Sequence, residues 1–376
     1  MFKIKFYLSL VIFLYIGKTM GQDMVGQLVD LENKSVILEA FDGLSSYPVD
    51  STKTDHKGKF KLSYTSLSHG MGLLKTEDGE SILLVLEPED IHLTGTNAND
   101  YQQLNYIKGQ ENKQFLTYVN NQPVRDQSYA AWDYLAKLYQ DNDLLHAQNQ
   151  AKNAIDTEIK RLKNEEASFL AQLPNSSYIK WYIPVRKLLS SVSQVAQYKP
   201  EEIPATRMAL QNLDYADERL YTSGLLKEAI ENHVWFIENS SGALDQVYAD
   251  LNESIDLMLA QLIHDEAKYN TLTEYLFNLL EKRSLFTSAE YLALKVLNEQ
   301  SCSLNDDVAK QLESYRQMKK GNTAPDIRFG QYTYFPEGTK AASLKEIDAT
   351  YKVVVFAAGW CDPTGVAGNL RNSTAH

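Results

Sequence analysis

Between residues 22 and 110 apolar and polar side chains alternate in short runs separated by turn-forming residues. In "GKFKLSY", Phe60, Leu62 and Tyr64 alternate with Lys59, Lys61 and Ser63, the two-residue period of a strand with one buried face. "MVGQLVD" and "SVILEAF" flank a polar turn at Glu32-Asn33-Lys34; "YPVDSTK" and "KFKLSY" flank Asp55-His56-Lys57-Gly58; "GMGLLKT" and "SILLVLEP" flank Asp78-Gly79. "DIHLTGT" supplies a last short strand. Strands of this length and spacing predict an antiparallel β-sandwich-like domain or an open barrel. Asp50-Ser51 reads there as a turn or strand-edge feature.

Near Glu111 the period changes. From 111 to about 320 glycine almost disappears and apolar residues recur at helical spacing, first through "SYAAWDYLAKLYQDNDLLHAQNQAKNAIDTEIKRLKNEEASFLAQL", which stops at Pro174. Further helices are expected in "RMALQNL", "SGLLKEAIENHVWFIEN", "ALDQVYADLNESIDLMLAQLIH", "YNTLTEYLFNLLEKR", "SAEYLALKVLNEQ" and "NDDVAKQLESYRQMKK". Their tyrosines and leucines read as packing between helices. A third segment, 321–376, opens at Gly321, with a strand or hairpin in "DIRFGQYTYF", a helical turn in "SLKEI" and an apolar, β-branched strand in "KVVVFAA". The fold class is therefore α+β and multidomain: a β-rich domain over 22–110, an all-α region over 111–320 and an α/β fragment after it.

The first 21 residues, "MFKIKFYLSLVIFLYIGKTMG", combine Lys3 and Lys5 with an apolar run from Phe6 to Ile16 and small residues at Thr19 and Gly21. This is the anatomy of a cleaved signal peptide, and the run is shorter than the ~20 residues of a spanning helix. Export to the periplasm without a stable membrane anchor is the expectation. The formal charge of −12 lacks a basic stripe, which argues against nucleic acid as a partner. No histidine pair has ligand spacing and no glycine-rich phosphate loop follows a strand, so neither a metal nor a cofactor is expected. Glu165-Glu166 reads as a solvated face and Asp306-Asp307 as a helix cap.

The chain has two cysteines, Cys302 and Cys361. Cys361 follows the apolar run as Trp360-Cys361, where a following helix would present unpaired N–H groups to the thiol and favour the thiolate. A second thiol three residues on could resolve a mixed disulfide, but that position is Thr364. "APDIRF…SLKEI…KVVVFAAGWCDP" resembles the opening of a thioredoxin-like domain in TlpA-like periplasmic thiol–disulfide oxidoreductases, with Ala324, Pro325, Asp326, Trp360, Cys361 and Pro363 matching and Thr364 departing. "VDSTKTDHKGKFKLSY" and "YIKGQENKQFLTY" resemble the β-rich domain of unknown function that precedes such domains in exported Bacteroidota proteins, and "NLDYADERLYTSGLLKEAIENHV" their helical middle region.

The resemblance implies a redox enzyme acting on periplasmic protein thiols and disulfides, with Cys361 as catalytic nucleophile. Fifteen residues follow Cys361, and "TGVAGNLRNSTAH" lacks the amphipathic face of the family's next helix, so a truncated, inactive redox domain is expected. Cys361 is then a working nucleophile, a residual reactive thiol or an inert remnant, and a Cys302–Cys361 disulfide is a further option. The alternative function is a non-catalytic module binding an unknown periplasmic partner.

Overall fold

In most of the N-terminal strands every second residue is driven inward, and two sheets result; the strand Ser45–Lys53 is an exception, with Tyr47 and Val49 only half-buried against the core. The computed structural model describes residues 21–240 and 242–298, and beyond them residues 310, 312–314, 317, 321–323, 326–330, 333 and 341–354. The strands are β1 (Gln22–Leu28), β2 (Ser35–Asp42), β3 (Ser45–Lys53), β4 (Lys59–Tyr64), β5 (Gly70–Thr76), β6 (Ser81–Leu86), β7 (Ile91–Gly95) and β8 (Asn105–Lys108). One sheet runs β4-β1-β7-β8 and the other β3-β2-β5-β6. The expected turns fall between the expected strands. The pairings are antiparallel with one exception: β1 lies parallel to β7, Met24 opposite Ile91. Alternation predicts which face of β1 is buried; it says nothing of which way the neighbour runs.

Met24, Leu28, Val36, Leu38, Leu62, Tyr64, Leu74, Ile82, Leu84, Ile91 and Leu93 form the core between the sheets. Gly26 is there because the Phe60 ring crosses it: a Cβ on Gly26 would sit 2.0 Å from the ring. The sheet edges are closed by side chains. Asp50 of β3 accepts the Ser63 N–H of β4 at 2.8 Å, and the Tyr101 hydroxyl accepts the Leu83 N–H of β6 at 2.9 Å. Asp50 is thus the strand-edge feature that its position suggests.

The helices are α1 (Gln110–Asp141), α2 (Asn149–Gln172), α3 (Tyr178–Tyr198), α4 (Ile203–Gln211), α5 (Glu218–Tyr221), α6 (Leu226–Ser240), α7 (Leu244–Leu262), α8 (Glu266–Lys282) and α9 (Phe286–Asn298). Sequence periodicity merges α1 and α2 and leaves out α3. Helix α3 carries Pro184 inside it, at the cost of the bond to the Lys180 carbonyl, and burial of Ile179, Tyr182, Ile183, Leu189, Val192 and Val195 outweighs that loss. Glu166 corrects another expectation: it is not a solvated carboxylate but is buried, accepting the Tyr118 hydroxyl and pairing with Lys187.

Sheet β3-β2-β5-β6 meets the helices at the Tyr221–Gly224 loop. Met71 N–H donates to the Thr222 carbonyl at 2.9 Å and Gly43 N–H to that of Tyr221 at 2.9 Å. Gly70 has φ +148°, and a Cβ there would lie 2.4 Å from the Thr222 carbonyl oxygen. The β-rich domain and these helices belong to one compact unit that ends at Asn305, and a second runs from Asp306. The division falls inside the helical segment expected to reach 320. Among the described residues no helix is long and apolar enough to cross a membrane.

Candidate functional site

The nucleophile expected from the sequence, Cys361, lies outside the described residues, as do Trp360, Pro363, Thr364, Cys302, Ala324, Pro325, Asp306 and Asp307. Within the same segment 321–323 are described, and the structure resumes at Asp326. Phe329 N–H donates to the Ala342 carbonyl at 2.9 Å, Leu344 N–H to that of Ile327 at 2.9 Å, and Arg328 bridges Ser343 antiparallel. The Asp326 carboxylate accepts the Lys345 N–H at 2.9 Å at the start of a single 3-10 turn, Leu344–Glu346, in the "SLKEI" stretch. A hydrogen bond from Ser343, and then the Lys345 N–H, hold the Asp326 carboxyl below its ordinary range. Val353 and Val354, expected to open a buried strand, are exposed and outside any strand; the rest of that run is not described.

A second cluster joins the β-rich domain to the helices. Helix α1 starts after Gly109, which has no side chain to cap it. The caps come from the turn after β6. Glu89 accepts the Gln110 N–H at 3.2 Å; Glu87 accepts the N–H groups of Glu111 at 3.1 Å and Asn112 at 3.2 Å. Three donors left open by the first turn are thereby satisfied, with negative charge at the positive end of the helix dipole. The Asn112 amide does three jobs: its Nδ2 donates to the Val85 carbonyl and to Glu87, each at 2.7 Å, and its Oδ1 accepts the Val85 N–H at 2.9 Å. It mimics a neighbouring strand at the β6 edge. Glu111 repeats the device for α3, accepting Tyr178 N–H and Ile179 N–H at 3.2 Å and the Ser177 hydroxyl at 2.9 Å. Burial pushes the Glu87 carboxyl above its ordinary range despite these donors, with the nearby Glu89 charge adding to the shift.

A third cluster lies in the helical region. The His233 ring is 1 % exposed; Nδ1 lies 3.3 Å from the Tyr215 hydroxyl and Nε2 3.1 Å from that of Ser254. Desolvation, with the Arg207 charge behind it, pulls the imidazole down to about 4, so it is neutral at pH 7. The adjoining cavity, lined by His233, Ser254, Met258 and Leu276 among others, is about 10 Å³, room for one water at most. Without access for a solute this cluster holds helices together; it cannot exchange protons with a substrate. His233 belongs to no histidine pair with ligand spacing, yet its place among Ile230, Val234 and Ile237 on the apolar face of α6 is the signal that it is buried. Glu87, Asn112 and Glu111 carry no comparable signal. Among the described residues no group of three or more His, Cys, Asp or Glu side chains could hold a metal.

No family model, no curated protein and no solved structure matches the chain.

Proposed function

We propose that the chain is an exported, single-thiol relative of the TlpA-like thioredoxin-family oxidoreductases, with Cys361 as its reactive group. The observation that carries this reading is the Trp360-Cys361 pair one residue after the apolar run from Val353 to Ala358. The pairing of 327–329 with 342–344, with Asp326 accepting a hydrogen bond from the 3-10 turn that follows, supports it, because the resembling stretch folds locally just ahead of that run.

The chemistry follows from one thiol. The Cys361 thiolate attacks one sulfur of a partner disulfide. A new S–S bond forms, the old one breaks, and the departing sulfur leaves as a thiolate that takes a proton from water. Thr364 cannot make the second attack; unless Cys302 makes it, the mixed disulfide persists until an external thiol displaces Cys361. The protein therefore traps partners rather than turning them over.

Incubation of purified protein with glutathione disulfide, followed by peptide mass mapping, tests this. The expected result is an adduct on Cys361, lost in Cys361→Ser, with no turnover of insulin disulfides. Wild-type turnover at thioredoxin-like rates would refute the single-thiol reading. No adduct on the native protein, where the unfolded chain reacts, would leave a non-catalytic binding module. The same reading has the leader cut after Gly21. N-terminal sequencing of the mature chain should then begin at Gln22, where β1 starts.

A further inference from the structure

Helix α1 is 32 residues long, yet its buried side chains are Asn112 and Phe115, both near its start. Farther along, the α1–α2 hairpin buries Ile155, while Trp132, Leu135 and Tyr139 are half-buried. The hydrogen bonds and ion pairs that residues 130–160 make are local, as in Lys137 with Asp133, Thr157 with the Asn153 carbonyl, and Glu158 with Arg161. Among the described residues none of these hydrogen bonds or ion pairs reaches outside the hairpin; the Asp133 carboxylate acts on Lys199 only through its charge.

The near half of the hairpin is anchored. Glu87, Glu89 and Asn112 fix its first turn, Asn120 donates to the Tyr101 carbonyl at 3.3 Å, and Tyr118 reaches Glu166, which pairs with Lys187 of α3. The outermost tie is Tyr129. Its ring lies 5.5 Å from the ammonium of Lys163 on α2 and 5.4 Å from that of Lys199, the buried residue that ends α3. Between anchor and tie stands Pro123, which has no N–H for the Val119 carbonyl.

We propose that residues 130–160 form an arm that opens and closes on its own while the body stays folded, and that the Lys163–Tyr129–Lys199 clasp sets where it parts from the body. Two helical stretches of about twelve residues, holding only each other, are marginal in water. Segments with few buried apolar contacts open far more often than the core does.

Native-state hydrogen exchange on the full chain tests this. Amides of 130–141 and 149–160 should exchange as one group, at least tenfold faster than those of 113–119 and of 251–259 in α7; a smaller difference overturns the arm. Lys199→Met keeps the buried stem and removes the cation. Amides of 124–129 should then exchange threefold faster or more with α7 unchanged, and unaltered rates there overturn the clasp. Should Lys199→Met also loosen α7, Tyr129→Leu removes the ring from the other side and is judged by the same readout.

Discussion

Removing the Asn112 amide should cost more than any surface change of similar size. Asn112→Ala leaves the Val85 N–H and carbonyl unpaired at a buried strand edge and strips one of three donors from Glu87. A buried group without its partner costs about 1–3 kcal/mol. With some relaxation of the β6 edge, the sum is about 3–5 kcal/mol, a large share of the ~5–15 kcal/mol that holds a domain together. Urea unfolding followed by circular dichroism should show the midpoint falling by about 1 M or more with an unchanged slope. Asn112→Asp is the sharper comparison. It keeps the shape but sets a second carboxylate against Glu87, where Nδ2 had donated. At pH 7 it should cost at least as much as alanine, and part of the loss should return at pH 5, when one of the pair takes a proton. Alanine should show no such recovery. A midpoint shift below about 0.3 M for Asn112→Ala, or an aspartate variant indifferent to pH, would refute the account of this junction.

Two more outcomes follow from the structure, and a third from the proposed role of Cys361. His233 titrates at about 4 in the folded chain and near 6.5 when unfolded, so between those values the unfolded state binds the extra proton; stability should fall by about 3 kcal/mol as pH drops through that window, and His233→Asn should flatten that limb of the midpoint-against-pH curve. Gly70→Ala should lower the melting temperature by the equivalent of about 1–3 kcal/mol, because the new Cβ meets the Thr222 carbonyl and φ is positive. In a disulfide-reduction assay, Thr364→Cys should raise turnover above the wild-type baseline if Cys361 is the reactive thiol, and an unchanged baseline would count against that role.

Most strands were legible because one face of each is dry; β3, whose inner residues are only half-buried, was marked by the turn after it, and the four-residue β8 was missed. Phe60, Leu62 and Tyr64 announce their own alternation, and the turns between strands use residues that favour turns. Helix α3 was not, because Pro184 sits in a run whose apolar residues face neighbours on several sides. The junction was harder still. "LEPED" reads as the stop of a strand, and nothing in it says that Glu87 will cap a helix 25 residues on, since the partner donors are main-chain N–H groups that every sequence has. The pair proposed to carry redox chemistry has the reverse character: Trp360-Cys361 suggests that chemistry from residue type alone, whereas the surroundings that would set a thiolate depend on packing no short pattern encodes.

The central position of β1 bears on how the chain comes to its fold. Sheet β3-β2-β5-β6 is built from two hairpins joined side by side, with partners close in sequence. It can form as soon as residue 86 has been made. Strand β1 comes first from the ribosome, yet its two neighbours are β4, with Gln22 opposite Tyr64, and β7, with Met24 opposite Ile91. A parallel pairing of that separation closes a long loop before any contact rewards it. Strand β1 can meet β4 once residue 64 has been made, but its other edge must wait for β7. Until residue 95 emerges, one edge of β1 stays unpaired. The wait leaves an open strand edge through most of the synthesis of the β-rich domain, and an open edge is where a wrong pairing starts.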